Sequence, residues 1–268
     1  MMTIKEIVKK YQALGANYRN AQNLAAEEII INKLASSPLA EHVTLKGGIV
    51  MYNLTKSNRR VTQDIDFDMI RYSIEDESIE MFIRKLNSNN DGFLISMAKR
   101  PEKLHQEDYQ GVRVFVNIKD FKGDGLRLKL DIGVHTYAAI EQNRISFSFD
   151  CGGKSVALKV NPCEQIFAEK SLSLSRLGPI SSRYKDIYDL YYLINNKLVD
   201  LKEVAKILNL FFISSRRGPN TMHEYVDSII TTLNDELFSN EAKKPVSNWI
   251  DEDYVVVKSA LIEFLCRL

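Results

Sequence analysis

Cysteine is scarce in this chain of 268 residues: Cys151, Cys163 and Cys266 are odd in number and far apart, so no disulfide framework is expected. The four histidines, His42, His105, His135 and His223, do not cluster with them, which removes the ordinary ligand set of a zinc site. An excess of one charge is also missing. Thirty-six Lys and Arg against 35 Asp and Glu leave a formal net charge of +1, so contact with a polyanion has to come from local patches. No apolar run approaches the ~20 residues that a membrane helix needs. The first residues, with Lys5, Glu6, Lys9 and Lys10, do not read as a signal peptide, so the expected location is the cytoplasm, with no membrane partner. No internal repeat or low-complexity tract stands out. What remains is an ordinary globular composition, 45% hydrophobic and 26% charged, long enough for one large or two smaller cores.

The chemistry concentrates in residues 43–68. An apolar run, Val43-Thr44-Leu45-Lys46, ends in Gly47-Gly48, an apolar turn of helix follows, and Arg59-Arg60-Val61-Thr62-Gln63 leads into Asp64-Ile65-Asp66-Phe67-Asp68. Without a Cβ, Gly47 and Gly48 let the backbone turn sharply beside a ligand, and a helix starting there aims free N–H groups at an anion. On a strand Asp64, Asp66 and Asp68 project to one face and Ile65, Phe67 and Met69 to the other. Side-by-side carboxylates repel unless a cation lies between them, and Mg²⁺ favours one or two carboxylates plus substrate phosphates. Two readings fit this stretch: a metal site facing a glycine turn, or a solvated edge strand with an acidic outer face.

Residues 3–36 read as two helical segments divided near Gly15, the second carrying Leu24, Ile31 and Leu34 on one stripe with Glu27 and Glu28 nearby. Ser73 with Asp76 reads as a capping box opening a helix to about Leu86. From 93 to 160 the period changes to two, with strands expected at 93–98, 112–118, 126–134, 145–149 and 156–160. In the third of these Leu126, Leu128, Leu130 and Ile132 alternate with Arg127, Lys129 and Asp131, so Asp131 becomes a third carboxylate if this strand neighbours the Asp64 strand. From Pro162, placed at a first helical position, the chain reads as helical to its end. Lys170 lies on the stripe formed by Ile166, Phe167, Leu174 and Leu177; it either snorkels to water or directs a cation at a phosphate. In Arg183-Tyr184-Lys185-Asp186-Ile187-Tyr188-Asp189-Leu190, Asp186 and Asp189 share a face and Lys185 can pair with Asp189. Arg216-Arg217 reads as an arginine pair in a loop, either simply solvated, as most exposed arginines are, or offering a phosphate contact.

Together these blocks resemble the AbiEii/AbiGii-type nucleotidyltransferase toxins of bacterial toxin–antitoxin and phage-defence systems, a branch of the DNA polymerase β-like nucleotidyltransferase superfamily. Gly47-Gly48 with Arg60-Val61-Thr62-Gln63-Asp64-Ile65-Asp66-Phe67, Glu164-Gln165-Ile166-Phe167-Ala168-Glu169-Lys170 and the Arg183 block are similar to the family's signatures in order and spacing. The tail beyond Asn196 matches none of them. The resemblance implies an α/β (α+β) fold, a nucleotidyltransferase-type mixed β-sheet flanked by helices and followed by a C-terminal helical bundle. It divides the chain into a catalytic domain, 1–160, and a helical domain, 161–268, that contributes Lys170 and Asp186 to the cleft. It further implies an NTP substrate, two Mg²⁺ ions on Asp64, Asp66 and Asp131, and catalytic roles for these three with Lys170 and Asp186. Nucleotide contacts are implied for Lys46, Gly47, Gly48, Arg60, Thr62, Lys170 and Arg183. The expected acceptor is RNA, the 3′ end of a tRNA, lined by cations such as Lys99, Arg100, Lys103, Arg113, Lys119, Lys122, Arg127 and Lys129. Translation is then blocked, and a cognate antitoxin encoded nearby is the expected partner. Transfer to a protein or small molecule, or a non-catalytic NTP-binding module, are the alternatives.

Overall fold

The computed structural model describes residues 2–106, 109–149, 155–214 and 218–268. Cys151 and the Arg216-Arg217 loop lie outside them. Two compact units divide the chain, Met1–Asn161 and Pro162–Leu268.

In the first unit α1 (Ile4–Ala13) and α2 (Tyr18–Ala35) precede β1 (Val43–Lys46), α3 (Gly48–Thr55), β2 (Asp64–Met69) and α4 (Asp76–Leu86). Then come β3 (Phe93–Met97), β4 (Glu102–Gln106), β5 (Tyr109–Asp120), β6 (Gly125–Val134), β7 (Asn143–Ser148) and β8 (Ser155–Val160). The eight strands form one sheet in the order β3-β5-β6-β2-β1-β8-β7, with β4 on β5. It is mixed: β1 runs parallel to β8 and β2 to β6, while the other pairs are antiparallel. The parallel β2–β6 pairing is what sets Asp131 directly beside Asp66.

Period-two alternation builds the core. Ile65, Phe67 and Met69 of β2 and Leu128, Leu130 and Ile132 of β6 are buried on one side. Phe82 of α4 stacks on Phe67 with ring centroids 5.3 Å apart, so α4 lies on the apolar face. Most of α2 is buried, because its small and branched residues (Ala21, Ala25, Ala26, Ile29, Ile30) leave no broad polar side. The two-segment reading of residues 3–36 matches α1 and α2, and Thr3 with Glu6 forms a capping box on α1.

Three local expectations are corrected. Glu75, not Ser73, occupies the N-cap of α4; the Ser73 hydroxyl accepts from the Glu75 N–H (3.1 Å), so it stabilises the turn before the helix. β4 was not expected, since Glu102-Lys103-Leu104-His105-Gln106 is poor in branched and aromatic residues and depends on pairing with β5. Pro162 is the N-cap of the next helix, with extended backbone, and not its first residue.

The second unit is a helical bundle: α5 (Cys163–Leu177), a 3-10 turn (Gly178–Ile180), α6 (Tyr184–Asn195), α7 (Leu201–Ser214), α8 (Met222–Asn234), α9 (Glu236–Ala242) and α10 (Tyr254–Leu265). Its core includes Phe167 of α5 against Phe264 of α10, 5.1 Å between centroids. Among the described residues no helix is long and apolar enough to cross a membrane.

Candidate active site

In the first unit β1 ends at Lys46 and the chain turns through Gly47 at φ 64°, ψ −135°, which makes Gly47 the N-cap of α3. A Cβ on Gly47 would stand 2.6 Å from Oδ2 of Asp66, and one on Gly48 would stand 2.7 Å from Oγ1 of Thr62. Both glycines are therefore required by close approach, and the backbone N–H groups that open α3 lie beside the acidic strand.

Strand register orders the charges. Arg113 of β5, Asp131 of β6, Asp66 of β2 and Lys46 of β1 are successive partners across the sheet, a row with two cations outside and two carboxylates inside. One step along, Lys129 is the partner of Asp64, and one step the other way Gly133 is the partner of Asp68. Arg113 grips Asp131 with two bonds, Nε to Oδ1 and Nη2 to Oδ2, both 2.8 Å. Lys129 lies 2.6 Å from Oδ2 of Asp64, whose Oδ1 accepts from the Thr62 hydroxyl at 2.9 Å. Burial alone raises the Asp64 pKa, but Lys129, Thr62 and Arg113 outweigh it and hold the carboxyl below the ordinary Asp value. Lys46 pairs with the buried Asp68 at 2.8 Å, so Asp68 is a counter-ion for Lys46.

Arg60 is buried, 6% exposed, and its Nη1 lies 3.4 Å from where a Gly48 Cβ would stand. Behind it Glu27, 3% exposed, has an Oε1 without a hydrogen-bond partner. Burial pushes the Glu27 carboxyl up to about 8; Arg60 pulls it down and Asp64 pushes it up.

Among the described residues no group of three or more His, Cys, Asp or Glu is placed to hold a metal by itself. The donor set does fit Mg²⁺ taken by carboxylates in pairs, with phosphate oxygens completing the shell: Asp64, Asp66 and Asp131 share a face, and the Gly47 backbone leaves beside Asp66 the space a side chain would fill.

The second unit holds Lys170, Asp186, Asp189 and Arg183. The Lys170 ammonium pairs with Asp186 and, at 2.8 Å, with Asp189. At 11% side-chain exposure and between two carboxylates, Lys170 does not snorkel to water. Arg183 Nη1 is 3.7 Å from Oδ2 of Asp186, an oxygen that is buried without a hydrogen bond. Asp189 also accepts from the Trp249 indole N–H at 3.1 Å. The sequence carries no pattern that points to Trp249. The parts of Arg113 and Lys129 in neutralising Asp131 and Asp64 were missed too, although the alternation of β6 puts Lys129 next to Asp131 on one face.

A glycine turn opening a helix beside alternate carboxylates suits an enzyme that grips a nucleoside triphosphate by its phosphates and passes on the nucleotidyl group, which is the class of nucleotidyltransferases. Residues 29–261 match the family model described as nucleotidyl transferase AbiEii toxin, type IV toxin–antitoxin system. The chain belongs to this family, and it is a nucleotidyltransferase of the toxin type. It is also similar to a solved structure, an antigenic nucleotidyltransferase-like protein from Paracoccidioides brasiliensis, at 20% identity and a TM-score of 0.42, over 70% of this chain and 87% of that one. A search of curated proteins finds no match.

Proposed function

We propose that this enzyme transfers a nucleoside monophosphate from an NTP to the 3′ end of an RNA, a tRNA, and thereby stops translation. The observation that carries the proposal is the common face of Asp64, Asp66 and Asp131 beside the Gly47–Gly48 turn. Asp64 and Asp66 would hold two Mg²⁺ ions for the triphosphate, and Asp131 would serve the second ion and the acceptor hydroxyl. Bound Mg²⁺ supplies charge neutralisation on the phosphates. Thr62 orients Asp64 through its 2.9 Å bond. The α3 N–H groups, Lys46 and the buried Arg60 contribute positive potential to the phosphates, and Lys170 and Arg183 bind phosphate oxygens, with Asp186 orienting Lys170. The acceptor oxygen bonds to the α-phosphorus, the bond to the β-phosphate oxygen breaks, pyrophosphate leaves, and the hydroxyl proton passes to Asp131 or to solvent. Such chemistry is mostly positioning and charge stabilisation.

RNA as acceptor is supported by the outer face of β5 and β6. Lys119 and Arg127 are exposed on the same side as Asp131, and Lys99 lies 4.0 Å from the ring centre of Phe115 on that side. Cations beside an aromatic ring suit a single strand of nucleic acid. A cognate antitoxin is the proposed partner, as expected for a type IV toxin–antitoxin family.

The experiment uses the four α-³²P NTPs one at a time with Mg²⁺ and total RNA. Label in the tRNA band with the wild type, lost in Asp64→Ala, is the expected result. Label on protein or on small molecules, with none on RNA, overturns the acceptor assignment.

A further inference from the structure

The tail beyond Asn196 has an assignable role at one point. In the connection 243–253 between α9 and α10, Trp249 is 5% exposed and donates its indole N–H to Oδ1 of Asp189, which is fully buried. The other oxygen of Asp189 holds the Lys170 ammonium at 2.8 Å. Three further contacts fasten the connection and the end of α9 to α6. The Tyr188 hydroxyl donates to the Ala242 carbonyl (2.8 Å), the Tyr192 ring packs 5.7 Å from Trp249, and the Tyr191 hydroxyl reaches Glu252 at 3.5 Å. Asn248 stiffens the connection from within by donating to the Glu252 carbonyl at 2.8 Å.

We propose that Trp249 is a positioning residue for Lys170: through Asp189, the α9–α10 connection fixes where the lysine ammonium stands. The assignment rests on the proposed role of Lys170 as a phosphate-binding cation. A buried carboxylate is held in orientation more firmly when both of its oxygens have partners, and the indole N–H is a partner of Oδ1 while Lys170 is a partner of Oδ2. An ammonium on a flexible four-carbon stem takes its position from its partners, so holding Asp189 in place fixes Lys170 jointly with Asp186. Trp249 is also the chain's one tryptophan, so its emission reports on this one place in the fold.

The test is calorimetry on the full chain with Mg²⁺ and inorganic tripolyphosphate, which has no base and so does not depend on which NTP is used. Lys170→Ala is expected to weaken binding on the order of tenfold, as for loss of a charge-assisted contact, and Trp249→Phe by about three- to tenfold. The decisive comparison is the double variant. If Trp249 acts through Lys170, Lys170→Ala/Trp249→Phe binds no more weakly than Lys170→Ala, and tripolyphosphate shifts the tryptophan emission of the wild type but not that of Lys170→Ala. A merely structural tryptophan gives losses that add. Asp189→Asn, which keeps the volume, is expected to repeat the Trp249→Phe result if that variant folds poorly. Wild-type affinity in both Trp249→Phe and Asp189→Asn, or additive losses, overturns the proposal. Unchanged binding by Lys170→Ala overturns the role of Lys170 as well and is seen separately from the tryptophan result.

Discussion

Replacing Gly47 by alanine tests whether the glycine turn shapes the carboxylate face, and Gly123 provides the control. Both glycines have positive φ, 64° at Gly47 and 87° at Gly123, but a Cβ at Gly123 meets nothing within 4 Å whereas at Gly47 it meets Asp66 at 2.6 Å. Gly123→Ala therefore carries backbone strain alone, about 1–2 kcal/mol. At Gly47 the ψ of −135° takes the residue out of the left-handed well that Lys56 occupies at φ 51°, ψ 22°, into a region used almost only by glycine. Strain there is about 1–3 kcal/mol. The contact with Asp66 adds about 0.5–1.5 kcal/mol as the carboxylate turns off its rotamer. The sum, roughly 2–4 kcal/mol, lowers the melting temperature by roughly 5–15 °C, while the chain still folds because the clashing atom ends a side chain. Activity separates the two variants. Moving a reacting group by ~1 Å costs on the order of 100-fold, so pyrophosphate release at saturating NTP is expected to fall by that factor in Gly47→Ala and to stay near wild type in Gly123→Ala. Equal activity of the two variants at 20 °C, with both folded by circular dichroism, would refute the reasoning.

Three further outcomes follow from the same face and its surroundings. Glu27 is protonated in the folded chain up to about pH 8 but ionises near 4.5 when unfolded, so folding takes up a proton in that window and stability falls as pH rises from about 4.5 to 8. Glu27→Gln should match the wild type in urea at pH 4.5 and exceed it at pH 9 by a few kcal/mol; parallel pH profiles would contradict this. Asp68→Ala removes a counter-charge 2.8 Å from the largely buried Lys46, whose register partner Asp66 remains, and is expected to cost about 1–3 kcal/mol in urea denaturation, with no measurable loss as the contrary result. Chelation by EDTA is expected to abolish transfer and Mg²⁺ to restore it, yet to leave the melting curve in place, because Lys129 and Arg113 already neutralise Asp64 and Asp131. Unfolding on chelation would show that the metal is structural.

The fold class was legible because alternation in β2 and β6 and the long apolar-rich run of α2 are strong local signals, and because their order resembles a known family. What local pattern does not carry is register. Asp64 and Asp66 share a face by periodicity alone, but the pairing of Asp131 with Arg113 and of Asp64 with Lys129 depends on which strands adjoin, and in what phase. β4 was invisible for a similar reason, since its residues are strand-forming only against β5. The Ser73 box failed by two residues, a shift typical of helix ends whose caps compete with nearby turns. Lys170 left two readings open because a lysine on an apolar stripe looks the same whether it reaches water or carboxylates. Asp189, placed with Lys185 on helix spacing, meets Lys170 and a tryptophan 60 residues away, contacts set by packing of the bundle.

The central claim is that the Gly47–Asp66 face carries out nucleotidyl transfer, and stoichiometry tests it most directly. With α-³²P NTP, Mg²⁺ and total RNA, transferred label and released pyrophosphate are counted together for the wild type and for Asp66→Asn, whose fold is checked by its melting curve. The account predicts one pyrophosphate per transferred nucleotide in the wild type and neither product from a folded Asp66→Asn. Pyrophosphate without transferred label, or transfer that survives in Asp66→Asn, would contradict it.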